Sequence, residues 1–178
     1  MLDQRLATRV ENFVSRLKRE SVCMHGFILD VRGEVKATAY YPPFEEGKAH
    51  RMYSVSKSMT ALAIGLLLDE GKISLDDRIA DYFRDILPEK PDARLMRLKI
   101  RDMLRMATCY RATVYRETDD DWTKPFFTAA STHEPGTVFH YDTGCSQVLA
   151  ALVALVALSA YFSATETAFT SLNRIRLK

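Results

Sequence analysis

The sequence predicts an α+β, helix-rich fold in which a two-stranded antiparallel ribbon precedes a helical subdomain and the chain ends in a long hydrophobic helix. Three observations predict it. Residues 22–31 and 34–41 are apolar, β-prone runs flanking a turn at Arg32-Gly33. Helical periodicities dominate the rest. Residues 148–165 form a stretch without charge.

The elements follow in order. Leu2, Leu6, Val10, Phe13 or Val14, and Leu17 recur at helical spacing against a charged face, which predicts an amphipathic helix over 3–20. The hairpin comes next, and Pro42-Pro43 ends its second strand. A helix begins near Ser54 and runs to Asp69 or Glu70, with Gly71 as its C′ residue. Its interior, from Met59 to Leu68, is apolar nearly all round, so burial is expected. Ser74 or Asp76 would cap a short helix reaching Phe83, and Pro88 and Pro91 mark a loop. Residues 98–107 predict another amphipathic helix. Thr118 to Asp121 would cap a helix over 121–131, the aspartates lying at a solvated helix N-terminus rather than around a cation. Glu134-Pro135-Gly136-Thr137 is a turn, Val138 to Tyr141 is extended, and a final helix starts near Asp142-Thr143.

Composition bounds the function. Hydrophobic residues make up 47% and charged residues 27% of 178, a balance suited to a packed core. A net charge of +2, without a basic stripe interleaved with aromatics, points away from nucleic acid. Cys23, Cys109 and Cys145 are odd in number and far apart, which suggests free thiols rather than a disulfide framework or zinc site. The four histidines form no H-x-x-x-H pair, so neither metal nor cofactor is expected. Residues 1–20 lack an apolar signal-peptide core, which predicts a cytoplasmic location.

Chemistry concentrates at Tyr53-Ser54-Val55-Ser56-Lys57-Ser58. A Ser-x-x-Lys pair at a helix start places a hydroxyl and an amine one turn apart on one face. Serine needs a neighbour to take its proton before it attacks a carbonyl, and a desolvated lysine can do so. Spacing alone favours Ser54 as a mere N-cap and Lys57 as a solvated first-turn residue. Tyr141 alone reads more readily as a packed aromatic with a satisfied hydroxyl.

The flanking blocks carry a resemblance. They are His50 to Thr60, Leu68 to Asp77, Leu98 to Met106 and Pro135 to Tyr141. In that order, residues 22–153 resemble the serine β-lactamase and penicillin-binding-protein superfamily, nearest its class C-like serine hydrolases and esterases. The resemblance implies a partial β-lactamase/transpeptidase-like fold over residues 1–150. It implies Ser54 as the acylated nucleophile, Lys57 as the group that helps deprotonate it, and Tyr141 as partner in proton transfer to the leaving group. The substrate would be a small-molecule amide or ester. Thr143 stands where the family's Tyr-x-Asn motif has asparagine, and would position substrate with one donor where an amide offers two. Thr108-Cys109-Tyr110 replaces the small residue and glycine common in relatives. The family's third motif, a Lys- or His-[Ser/Thr]-Gly strand supplying an oxyanion donor, has no counterpart in 142–178. A truncated hydrolase of impaired activity is therefore expected.

Residues 151–178 read differently. The uncharged stretch reaches the lower limit for a membrane span, and Arg174, Arg176 and Lys178 follow it. From about Ala154, with Ser163-Ala164-Thr165-Glu166-Thr167-Ala168, the sequence resembles the first membrane helix of cyclin-M and CorC-like magnesium transporters. Two such segments meeting near 150–156 predict a gene fusion, frameshift or assembly chimera. The alternatives are membrane contact through residues 148–165, a buried apolar helix in a soluble protein, and a non-catalytic interaction module.

Overall fold

The computed structural model describes residues 4–114 and 120–176, with the side chains of the last helix described as far as Thr165. Its element order is that of the sequence reading, and the chain divides into two compact units, 1–52 and 53–178.

The first unit opens with helix α1 (Gln4–Arg19). Leu6, Val10, Val14 and Leu17 form its half-buried stripe. Phe13, although 51% exposed, meets Phe27 edge to face at 6.4 Å between ring centres. Strands β1 (Gly26–Val31) and β2 (Glu34–Tyr40) pair antiparallel, Gly26 opposite Tyr40 and Val31 opposite Glu34, with a register shift at Leu29/Asp30. The reversal is a two-residue turn in which Arg32 and Gly33 both hold positive φ, 58° and 81°. That matches the right-handed twist of the strands. Asp30 Oδ1 accepts the Gly33 N–H at 2.8 Å and fixes the turn. Residues 22–25, expected to begin the first strand, precede the ladder.

The second unit is helical. A 3₁₀ turn (Tyr53–Val55) runs into helix α2 (Ser56–Asp69). Helices α3 (Ile100–Leu104), α4 (Thr123–Thr128) and α5 (Thr143–Arg176) follow, with α2, α3 and α4 all packed on α5. Their shared core includes Ile64, Ile79, Leu98, Ile100, Met103, Phe126, Val148 and Leu152. Residues 145, 148, 149 and 152 recur at helical spacing, so one stripe of the first turns of α5 faces this core. Tyr110 is buried in this core, and its hydroxyl donates to the Phe126 carbonyl, as a buried phenol requires.

Several expectations shift. The short helix after Ser74 is a 3₁₀ turn at Ile79–Tyr82. Ser74 and Asp77 instead close the preceding turn, with Asp77 Oδ2 accepting the Ser74 N–H at 2.7 Å. The 98–107 helix contracts to α3. Its start is fixed by Asp102, which accepts the Lys99 N–H, and by the Ile100 N–H reaching the Asp77 carbonyl. Asp121 caps α4, its Oδ1 accepting from the backbone of Thr123 and Lys124. Thr118 and Asp119, also named as caps, lie outside the described residues.

The largest correction concerns α2. Its apolar surface predicted burial all round, but only Ile64 and Leu67 are buried, while Met59, Leu62 and Leu66 are each more than half exposed. Among the described residues α2 packs chiefly on α5, so composition alone overestimated its enclosure.

Helix α5 is continuous through residue 150 and changes environment along its length. Cys145, Val148, Leu149 and Leu152 are buried, whereas Leu155, Leu158, Tyr161 and Phe162 are exposed. The segment Thr143–Thr165 is long and apolar enough to cross a membrane by composition.

Candidate active site

The site is assembled by two backbone turns. Met106 adopts a left-handed φ of 53° and ends the α3 segment. The Gly136 N–H donates to the Ala107 carbonyl at 2.7 Å and the His140 N–H to the Met106 carbonyl at 2.9 Å. These bonds pin residues 136–140 against the α3 turn and deliver Tyr141 to the start of α2. Two sequence blocks about thirty residues apart thus become one wall.

Ser54, Lys57 and Tyr141 are brought together there. Lys57 Nζ donates to Ser54 Oγ at 3.2 Å and stands 5.1 Å from the centre of the Tyr141 ring. The hydrogen bond from Ser54 holds the Tyr141 phenol below its ordinary titration range, aided by a hydrogen bond from Lys57 and, after the opposing effect of desolvation, by that residue's positive charge. A phenol so placed releases its proton more readily and can receive one from Ser54.

The surroundings are more open than a desolvated lysine requires. Ser54 and Tyr141 are exposed and Lys57 is half-buried. Ser54 also lies in the 3₁₀ turn ahead of α2 rather than on the α-helix itself, so the Ser-x-x-Lys spacing spans the junction. Thr143, assigned to substrate positioning, opens α5 and is half-buried. No hydrogen bond among the described residues ties it to the other three.

Asp142 between them is 1% exposed. Its Oδ1 accepts the Gly144 N–H at 3.1 Å and starts α5, while Oδ2 has no partner among the described residues. Cys145 and Cys109 are buried free thiols. Burial, with Asp142 nearby, pushes the Cys145 thiol up to about 12, and burial likewise raises Cys109. Neither supplies a thiolate at neutral pH. Among the described residues no three His, Cys, Asp or Glu side chains converge as a metal site.

One cluster escaped the sequence reading. His25 Nδ1 and His50 Nε2 share a hydrogen bond of 2.8 Å, and Phe44 stacks on both rings at 3.9 and 4.7 Å. These rings border a cavity of about 400 Å³ within the first unit, together with Tyr40 and Met52. Twenty-five residues separate the two histidines, and no local spacing signals such a pair.

Comparison with solved structures establishes the fold. A β-lactamase-assigned protein of Bacteroides dorei superposes with a TM-score of 0.64 at 16% identity, covering 84% of this chain and 46% of that one. A Bacillus anthracis protein assigned as a 6-aminohexanoate-dimer hydrolase gives 0.60 at 18% identity, covering 80% and 42%. The architecture is that of the serine β-lactamase and penicillin-binding-protein class. The chain belongs to the Beta-lactamase family, which it matches over residues 26–171. Among characterised proteins, the 6-aminohexanoate-dimer hydrolase of Paenarthrobacter ureafaciens is 33% identical over 81 residues, 46% of this chain. The chain spans 20% of that relative's length and less than half of each solved structure.

Proposed function

We propose that this chain carries the acylating centre of a β-lactamase-related serine hydrolase. Ser54 Oγ attacks the carbonyl carbon of a small-molecule amide or ester. Its proton passes to the Tyr141–Lys57 pair and then to the departing amine or alcohol, leaving an acyl group on Ser54. Thr143 would position the substrate. The observation that carries this reading is the 3.2 Å Lys57–Ser54 hydrogen bond with the Tyr141 ring centre 5.1 Å from the same Lys57 Nζ.

Acylation is the step these residues can perform. Rapid turnover in such a site also draws on a full set of oxyanion donors, loss of one lowering rates by roughly a hundred- to a thousand-fold. A fluorescent penicillin or fluorophosphonate tests the proposal. Stoichiometric labelling at Ser54, absent in Ser54→Ala, supports it. A folded protein that takes no label leaves a non-catalytic interaction module instead.

A second reading, membrane contact through residues 148–165, draws on the exposed Leu155, Leu158, Tyr161 and Phe162 of α5. Carbonate-resistant association with membranes would favour it, and with it the alternative of a fragment bearing a transporter-like first helix.

A further inference from the structure

We propose that His25 and His50 form a proton-linked carboxylate site in the first unit: the cavity they border takes a small organic monocarboxylate with an apolar body, and the imidazole pair takes up one proton from solvent as it binds. Every residue involved lies within 1–52, so the site stands apart from the Ser54 reading.

The pair is built as one surface. His25 Nδ1 and His50 Nε2 are 2.8 Å apart, and the ring centres 4.9 Å. Rings joined edge to edge by a bond of that length have centres about 5 Å apart. The two imidazoles therefore lie side by side, their planes 27° apart. The plane of Phe44 lies within 22° of His25 and 6° of His50. Its ring bridges the two and covers one face of the pair.

Proton counting decides the ligand. In the neutral pair two protons serve four ring nitrogens. One sits in the shared bond, which leaves one outer nitrogen a donor and the other an acceptor. A third proton keeps the shared bond and changes the outer edge. His25 Nε2 and His50 Nδ1 then both donate, and the pair carries one positive charge. Neither outer nitrogen has a hydrogen-bond partner among the described residues. Two N–H donors and a charge suit a carboxylate, because charge-assisted hydrogen bonds are about twice as strong as neutral ones. The π face of Phe44 favours the same charge.

The cavity supplies the rest. Its volume of about 400 Å³ lies in the range of small-molecule sites. Phe27, Ile28, Tyr40 and Met52 give it apolar walls, which fit a short alkyl or aryl body. Lys48 lines it as a second cation, and Glu45 is its one carboxylate among the described residues. These two pair at 2.7 Å with both side chains more than half exposed, a weak contact that an incoming carboxylate can displace. Tyr40 is the other titratable group on the walls.

The test titrates the full chain with 3-phenylpropionate, 3-phenylpropionamide and inorganic phosphate by calorimetry between about pH 6 and 8, in buffers of different ionisation enthalpy. The acid should bind roughly tenfold or more tightly than the amide or phosphate, with net proton uptake. Its carboxyl stays ionised throughout this range, so a change with pH reports the protein. Affinity should fall as pH rises, since a ligand that brings a proton binds more weakly when protons are scarce. The ring ¹⁵N signals of His25 and His50 should move together as the acid is added. His50→Gln should abolish the proton uptake, and Lys48→Gln should weaken binding by roughly three- to tenfold while keeping it. Equal affinity for the amide or for phosphate, binding without proton uptake, or no binding of the acid overturns the proposal. Those readouts come from the unsubstituted chain, so a variant that fails to fold leaves the outcome unchanged.

Discussion

Gly136 and Asp102 approach so closely that a Cβ on Gly136 would stand 2.9 Å from Asp102 Oδ1. Gly136 also holds a φ of 79°, in the left-handed region. The Pro-Gly-Thr block is thus fitted against the carboxylate that fixes the start of α3. Gly136→Ala should combine backbone strain with displacement of Asp102 and destabilise the protein by about 1–3 kcal/mol. Denaturant unfolding measures the loss, and Ser54 labelling should slow as Tyr141 moves. An alanine variant of unchanged stability and labelling would contradict this fit.

Lys57 bonds directly to the serine oxygen, so its substitution reads proton transfer. Lys57→Ala should slow acylation of Ser54 by roughly a hundred- to ten-thousand-fold with little effect on folding. Stopped-flow labelling with a fluorescent penicillin measures the rate. Equal rates in both proteins would leave Lys57 a surface cation.

Tyrosine ionisation offers an independent reading. Tyr141 is held below the ordinary phenol range, first by Ser54 and then by Lys57. Burial raises Tyr110 and Tyr82, with Asp77 also acting on the latter. Ultraviolet difference titration should show an early tyrosine phase that disappears in Tyr141→Phe and moves to higher pH in Ser54→Ala. Persistence of that phase in Tyr141→Phe would assign it to another ring.

Acid should weaken the protein through exposed ion pairs. Glu134 is held below its ordinary value by Arg97 and then Arg94, which it meets at 2.8 and 3.1 Å. Asp76 is likewise lowered, first by Lys99 and then by the Arg101 charge. A carboxyl depressed in the folded state adds stability above its unfolded value, and that gain is lost as pH falls through the folded value. Melting temperature should therefore drop below about pH 4.5, starting near the unfolded glutamate value. Glu134→Gln should flatten part of that slope, and so should high salt. An identical acid profile in the variant would show that the pair contributes nothing.

The helical core sets the ceiling on stability. Leu152→Ala removes a fully buried side chain of α5 and should cost about 2–5 kcal/mol. Leu158→Ala, on the exposed part of the same helix, should change stability by less than about 0.5 kcal/mol. Urea midpoints separate the two, and comparable losses would mean that the distal part of α5 is also covered.

Local chemistry explains what could be read in advance. Arg32-Gly33 marked the hairpin because the reversal needs positive φ at both positions. Gly71 marked the end of α2, where φ is 66°. The surrounding blocks singled out Ser54, Lys57 and Tyr141 as a group, and these side chains lie near one another in the structure. Long-range relationships were hidden. The length of α3 depends on hydrogen bonds to the 75–77 turn, the exposure of α2 depends on which neighbours cover it, and the His25–His50 pair exists only once loop and ribbon have folded. None of these leaves a periodic trace in the chain.

The division of α5 sets two solvents in competition for one segment. Residues 153–165 amount to about 20 Å of helix, short of the roughly 30 Å a hydrocarbon slab demands. To complete a crossing, a bilayer would have to take Val148 and Leu152 as well, and each turn it gained would be withdrawn from beneath Phe126, Ile64 and Met103. Immersion of the full stretch and survival of the Tyr141 wall are therefore mutually exclusive states of this polypeptide.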